Sequence, residues 1–294
     1  MNNSIRYSII IPHHDTPALL QKCIESIPER DDIEVIIIDD NSDPSIVDFD
    51  NFPGTKRQNT HIVFDKDAKG AGHARNVGLS IAQGKWLIFA DSDDFFDTDI
   101  LNSAMDKYQD SSLDLVFFHI RCLDVETIQP RNNADKLYFN FIDSKKDRDN
   151  RCRFKIMVPW GKFVKREIVI KNNIQFDETK VGNDAWFSLQ VGYNAQKVAV
   201  DDFVIYNWMV REGSITSHKN LESVMIHFNL ATRMNRFKES HGLSQYRTNL
   251  FAYIPMLHRA GMSYVQASKL SFVKTSKRHL LMDLFNLFKT FIRK

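Results

Sequence analysis

Along residues 5–120 the apolar positions fall into two kinds of run. Tyr7-Ser8-Ile9-Ile10-Ile11 and Glu34-Val35-Ile36-Ile37-Ile38 are β-branched and nearly without polar relief, the pattern of parallel strands covered on both faces. Between them Leu19, Leu20, Cys23, Ile24 and Ile27 recur at helical spacing, behind Asp15 or Thr16 as N-cap and Pro17 at the first helical position. This βαβ unit is expected to cross over right-handed. The pattern then predicts a short strand at Ile62-Val63-Phe64, a helix over 71–82 and a strand from Trp86 to Ala90. A helix over 98–109 and a strand from Leu113 to Phe118 follow. The alternation predicts an α/β domain with an open, mostly parallel central sheet and helices on both faces. Residues 121–155 break the pattern: they are charged and aperiodic, notably from Asp143 to Arg151, and predict a mobile loop or insertion. Beyond Leu221 the pattern is helical again.

The chain has 294 residues, 43% hydrophobic and 26% charged, which is globular material for one large domain or a domain with an appendage. No apolar run approaches the roughly 20 residues of a spanning helix, so the protein is expected to stay in the cytoplasm where it is made. Cys23, Cys122 and Cys152 are widely spaced, which argues against a disulfide framework or zinc site and for packing roles in a reducing compartment.

Charge is distributed unevenly. Residues 221–294 carry 12 Lys/Arg against 3 Asp/Glu, and residues 1–220 carry 27 against 34. A basic tail on an acidic body points to something anionic, but no nucleic-acid reading module accompanies it, so no nucleic-acid partner is expected. Near the carboxyl terminus, Leu281, Leu284, Phe285, Phe288, Phe291 and Ile292 are expected on one helical face. Asp283, Asn286, Lys289, Thr290 and Arg293 are expected opposite, behind Lys269, Lys274, Lys277 and Arg278. Such a helix either lies in a membrane headgroup layer or packs on protein.

In doubly wound sheets, ligands sit beyond the carboxyl ends of the strands. Three polar clusters fall there: Pro12-His13-His14-Asp15, Asp39-Asp40-Asn41-Ser42-Asp43 and Asp91-Ser92-Asp93-Asp94. Carboxylates crowded as in the third repel one another, and a hard divalent ion with a substrate phosphate relieves the repulsion. The alternative is a polar turn capping the next helix. Gly70-Ala71-Gly72-His73-Ala74-Arg75-Asn76 opens a helix, so its free N–H groups and Arg75 suit a diphosphate.

Taken together, these motifs resemble a family 2 glycosyltransferase of the GT-A fold, the group that builds bacterial surface polysaccharides. The resemblance runs over roughly residues 5–218: Pro12 to Asp15, Asp39-Asp40-Asn41-Ser42, Gly-x-x-x-Ala-Arg-Asn-x-Gly from Gly70 to Gly78, and Asp91 to Asp94. It implies a GT-A catalytic domain at 1–220 and a basic helical extension at 221–294. The implied activity is inverting transfer of a sugar from a nucleotide donor, UDP-linked, to a hydroxyl of a growing polysaccharide or lipid-linked glycan, assisted by Mn2+ or Mg2+. Asp40 would hydrogen-bond the uracil, with Pro12, His14, Gly72, Arg75 and Ser92 around the nucleotide and Asp91 near the ribose or a bound water. Asp93 would ligate the metal, and Asp94 would cap the next helix. Trp160, in Val158-Pro159-Trp160-Gly161-Lys162, would form either a sugar-site wall or part of the core. Gly182-Asn183-Asp184-Ala185-Trp186-Phe187 resembles the family's Gly-Glu-Asp-x-x-Phe, making Asp184 the general base, with Asn183 in place of the usual Glu. In the run from Tyr206 to Thr216, Arg211 and Ser214 would close over the diphosphate. His218 would either complete the metal shell or be a solvated histidine. Two other readings stay open: a non-catalytic nucleotide-sugar binding or assembly subunit, and a nucleotidyltransferase. The latter usually carries a Gly-rich basic loop after the first strand, which Pro12-His13-His14-Asp15 is not.

Overall fold

The computed structural model describes residues 4–130, 136–210 and 220–292. The chain divides into two compact units, Met1–Thr179 with Asn183–Arg211, and Lys180–Gly182 with Glu212–Lys294.

The first unit holds an eight-stranded sheet made of β1 (Tyr7–His13), β2 (Ile33–Asp40), β3 (Thr60–Asp65), β4 (Trp86–Phe89), β5 (Phe95–Phe96), β6 (Leu115–Asp124), β7 (Lys162–Lys165) and β8 (Val198–Val210). Their order is β3-β2-β1-β4-β7-β6-β8-β5. The β3-β2-β1-β4 half is parallel throughout, and β6 pairs parallel with β8. β7 runs antiparallel between β4 and β6, and β5 runs antiparallel on β8. Every residue of β1 and β2 is buried, as their mostly apolar runs predict, and the two polar residues within those runs, Ser8 and Glu34, bond to each other; each buried Ile contributes roughly 1.5–3 kcal/mol. Register places His13 beside Asp39 and Asp40 beside Asp65. The polar turns therefore emerge together at the carboxyl end of the parallel strands.

Helices α1 (Pro17–Glu25), α2 (Ala71–Ile81), α3 (Thr98–Tyr108), α4 (Lys136–Ile142), α5 (Arg148–Lys155), α6 (Arg166–Lys171) and α7 (Ala185–Asn194) accompany the sheet. α1 starts at Pro17 behind Thr16 and buries Leu20, Cys23 and Ile24. The 121–155 stretch departs from expectation: α4 and α5 occupy much of it. In α5, Cys152 and Phe154 are buried while the charged residues bond outward from them. Arg148 donates to Ile142 O at 2.5 Å and Asp202 at 2.8 Å. Arg153 donates to Gly192 O at 2.7 Å and Ala195 O at 2.8 Å, fastening α5 to the end of α7. Two apolar anchors in eight residues are too few to show as a period, which hid the helix from pattern reading.

The second unit is helical: α8 (Leu221–Ser240), α9 (Ile254–Arg259), α10 (Tyr264–Lys274) and α11 (Lys277–Ile292). Val224, Phe228, Leu250, Phe251, Leu257 and Ala267 form its core. α10 begins with a capping box in which Ser263 and Gln266 satisfy each other's backbone N–H groups. The faces of α11 differ from expectation. Leu280 and Leu284 turn inward onto the core, and Asp283 turns inward with them, 3.2 Å from Arg247. Leu281, Met282 and Phe285 stay exposed. The buried Arg247 is thus shared by two carboxylates, Glu239 and Asp283. Among the described residues no helix is long and apolar enough to cross a membrane.

Candidate functional site

The turn after β2 is built on Asp39. Its carboxylate accepts from His13 Nδ1 at 2.9 Å, from Ser42 Oγ at 2.5 Å and from Ser42 N–H at 3.1 Å, and the His13 and Asp39 side chains are both fully buried. The Thr16 N–H donates to His13 Nε2 at 3.2 Å, so Nε2 is the unprotonated nitrogen and Nδ1 carries the proton to Asp39. Burial pushes the Asp39 carboxyl up, but the bonds from His13 and Ser42 outweigh it and hold the group below the usual carboxylate range. Asp15 joins the two turns: its N–H donates to Ser42 Oγ at 2.9 Å and its carboxylate accepts the Asp43 N–H at 2.7 Å.

Asp40, the next residue, is arranged differently. Its Oδ2 accepts the Gly70 N–H at 2.9 Å, at the start of α2. Its Oδ1 is buried and, among the described residues, has no hydrogen-bond partner. Burial raises this carboxyl, with Gly70 and His14 opposing. A buried acceptor left open costs roughly 1–3 kcal/mol, which suits an oxygen completed by a ligand N–H. Gly70 sits at φ 88°, a conformation that glycine adopts without strain and that lets its N–H turn onto Asp40.

The β4 loop is fastened from the far side of the sheet. The Asp91 N–H donates to the Tyr206 hydroxyl at 3.0 Å, and that hydroxyl donates to Asp94 at 2.7 Å. Asp94 also accepts the Met209 N–H at 2.7 Å. Asp94 is thus a buried anchor to β8, and the cap of α3 is Asp97, which accepts the Ile100 N–H. Burial raises the Asp94 carboxyl well above the usual range, and the charges of Asp91 and Asp93 raise it further. Asp93 itself is partly exposed.

Arg75 joins this loop to a segment more than 100 residues further on. Its guanidinium donates to Asp91 at 2.5 Å and to Asn183 Oδ1 at 2.9 Å, over the face of Phe176. Asn183 thus supplies a neutral acceptor next to Asp184, which precedes α7. Burial raises the Asp184 carboxyl, Arg75 draws it down, Asp91 pushes it up and Lys162 draws it down. Lys162 is buried to 2% exposure, its Nζ 5.1 Å from the centre of the Phe117 ring. Burial lowers its ammonium to about 7, against the opposing field of Asp184.

The other expected residues divide. Pro12 is buried within β1 and His14 is exposed, its Nδ1 donating to Asp40 O at 2.9 Å. Ser92 Oγ lies 3.3 Å from Thr16 Oγ1. A side chain on Gly72 would meet Asp177 O at 2.1 Å, so this glycine permits close packing of α2. Trp160 belongs to the core, stacked on Tyr206 at 5.4 Å between ring centres. Arg211, Ser214 and His218 lie outside the described residues. Among the described residues, the group of three whose ligand atoms lie within 4.8 Å of one another is Asp65, Asp67 and His73. Lys69 lies 2.7 Å from Asp67 and Glu178 2.9 Å from His73, so these side chains are already engaged with one another and with neighbours. Mg2+ needs no such cage, being held by one or two carboxylates and substrate phosphates. Asp93 beside the crowded Asp91 and Asp94 fits that arrangement. His13, Tyr206, Asn183 and Lys162 are the site residues to which sequence reasoning gave no role. A lone lysine in the apolar run Val158 to Val164 was the one signal available.

A family model, Glycosyl transferase family 2, matches residues 8–171. Glycosyltransferase GlyA of Streptococcus pneumoniae is 22% identical over 276 residues, covering 88% of this chain, which spans 39% of that relative. Staphylococcus aureus TarS 1–349 in complex with UDP-GlcNAc superposes with a TM-score of 0.62 at 18% identity, over 96% of this chain and 73% of that one. The mannosyltransferase PcManGT of Pyrobaculum calidifontis, in complex with GDP-Man and Mn2+, gives 0.57 at 16% identity over 99% and 81%. At these identities the structural likenesses are likenesses of fold.

Proposed function

Because the chain belongs to glycosyl transferase family 2 and has its GT-A fold, we propose that it transfers a sugar from a UDP-sugar donor to an acceptor hydroxyl with inversion. The observation that carries this reading is Arg75 bonded at once to Asp91 and to Asn183. It holds the strand-end loop and the Asp184 segment on either side of one side chain, as a donor site and a base must be.

In this reading Asp40 accepts the ring N–H of uracil through its open Oδ1. Asp184 takes the proton from the acceptor hydroxyl as that oxygen attacks the anomeric carbon opposite the diphosphate. Burial brings its carboxyl toward the basicity the step requires. Arg75 fixes the spacing of the two sides, so that both substrates meet aligned. Asp93 would hold Mn2+ or Mg2+, which neutralises charge growing on the leaving diphosphate. The proposed acceptor is a growing polysaccharide or a lipid-linked glycan, and the proposed location is the cytoplasm, against the inner face of the plasma membrane.

The test is Asp184→Asn. Turnover is expected to fall at least about 100-fold while UDP binding persists, and NMR of the wild-type product should show an inverted anomeric centre. Full activity in the variant, or retained configuration, would overturn the mechanism.

A further inference from the structure

Among the described residues, seven of the thirteen large apolar side chains that stand exposed belong to α10 and α11. On α10, Val265, Lys269 and Phe272 follow one another at i, i+4 and i+7, with Val273 beside them. On α11, Arg278, Leu281 and Met282 fall at i, i+3 and i+4. Val265 is 78% exposed and Leu281 82%. The inward faces are already used, by Ala267 and Leu270 on α10 and by Leu280 and Leu284 on α11.

The charge on this surface has one sign. Residues 264–285 contain Lys269, Lys274, Lys277, Arg278 and a single acid, Asp283. Asp283 is buried against Arg247, so every charge the segment shows to solvent is positive. Scattered exposed apolar residues need no explanation. Apolar and cationic residues sharing the outer faces of two successive helices, with no exposed acid among them, match a surface that is oily below and anionic above.

We propose that the outer faces of α10 and α11 dock on an anionic lipid bilayer, the helices lying in its headgroup layer. A second copy of the chain fits less well, since a self-complementary contact would bring the same four cations together. The inference gives the lipid-linked acceptor of the proposed function its setting and rests on that reading for its purpose. Its test is independent of it.

The full chain would be floated with vesicles of equimolar phosphatidylglycerol and phosphatidylcholine, and with phosphatidylcholine alone. It is expected to float with the anionic vesicles, less so as salt rises. Replacing Lys269, Lys274, Lys277 and Arg278 by Gln should lower partitioning at least about tenfold. Val265→Ser with Phe272→Ser and Leu281→Ser should lower it by about the same factor. All seven positions are exposed, and circular dichroism checks that the fold persists. Failure of the wild type to float, or either variant floating like it, overturns the proposal. So does a wild-type dimer that the apolar variant dissolves. UDP-sugar hydrolysis in solution separates the two readings: a chain that hydrolyses but does not float contradicts membrane docking alone. One that floats but does not hydrolyse contradicts the transferase reading alone.

Discussion

The loops after β2 and β4 lie at one end of the same sheet, and each carries neighbouring carboxylates. After β2, Asp39 is closed by His13 and Ser42 and held as an anion, while Asp40 keeps one buried oxygen open. After β4, Asp94 is closed by Tyr206 and Met209 but pushed up by burial and by the charges of Asp91 and Asp93. Each loop therefore commits one acid to scaffold, Asp39 in the first and Asp94 in the second. They differ in the charge that remains. The first loop has a single open acceptor, suited to an N–H donor. The second gathers three carboxylates, of which Asp91 is bonded by Arg75 and Asp94 is pushed toward its neutral form, and in the proposed reading Asp93 is the one that meets a cation.

The largest test of that difference is Asp93→Ala. If the β4 loop holds the cation that helps the diphosphate leave, turnover should fall about a thousandfold, some 4 kcal/mol in the barrier. Steady-state kinetics across Mn2+ concentrations would show it, and a variant with unaltered metal dependence would remove the distinction. Next comes the scaffold acid of the other loop. Asp39→Ala strands the His13 Nδ1–H and the Ser42 N–H in the interior and should cost about 2–3 kcal/mol in urea unfolding. The sign with pH follows from a carboxyl whose folded pKa is lowered from 3.8. Its stabilisation is complete above the usual carboxylate range and is lost as pH falls through the folded value. Asp39→Asn should flatten that acid-side loss.

Asp40→Ala should be milder on stability and harsher on ligand, weakening UDP about tenfold or more through loss of a charged hydrogen bond. Equal affinity in calorimetry would mean the open oxygen faces nothing. The smallest effect concerns Lys162, the cation on the Asp184 side. Its folded pKa is lowered to about 7 from 10.5, so its burial costs stability below about 7, a cost that fades as pH rises toward 10.5. Lys162→Met should raise Tm at pH 6 by about 2–4 °C and not at high pH. Turnover on the acid side should shift to higher pH, because Asp184 loses a cation that lowers it.

The parallel half of the sheet was legible because β1 and β2 are buried on both faces, and their Ile- and Val-rich centres, interrupted only by Ser8 and Glu34 before the polar strand ends, show it. Asp40, Asp91, Asp93, Arg75 and Asp184 were legible as motif positions, each at a strand end or helix start. The division of labour within each loop was not. Asp39 and Asp40 are the same residue type side by side, and only the partners His13 and Gly70, at 26 and 30 residues' distance, tell them apart. Asp94 was expected to cap α3 because it precedes that helix, but β5 intervenes and Tyr206, 112 residues away, claims it. Asp283 was expected on a solvated face for want of any sign that Arg247 lies buried beneath it. Such pairings are tertiary and leave no period in the chain.

The most direct test is calorimetric titration of wild type and Asp93→Ala with UDP, GDP, CDP and ADP, each with and without Mn2+. The expected result is preferential UDP binding by the wild type that weakens at least about tenfold without Mn2+, and binding by the variant that no longer responds to the metal. UDP binding indifferent to Mn2+ in both proteins, or equal affinity for all four nucleotides, would contradict the assignment of one loop to the base and the other to the cation.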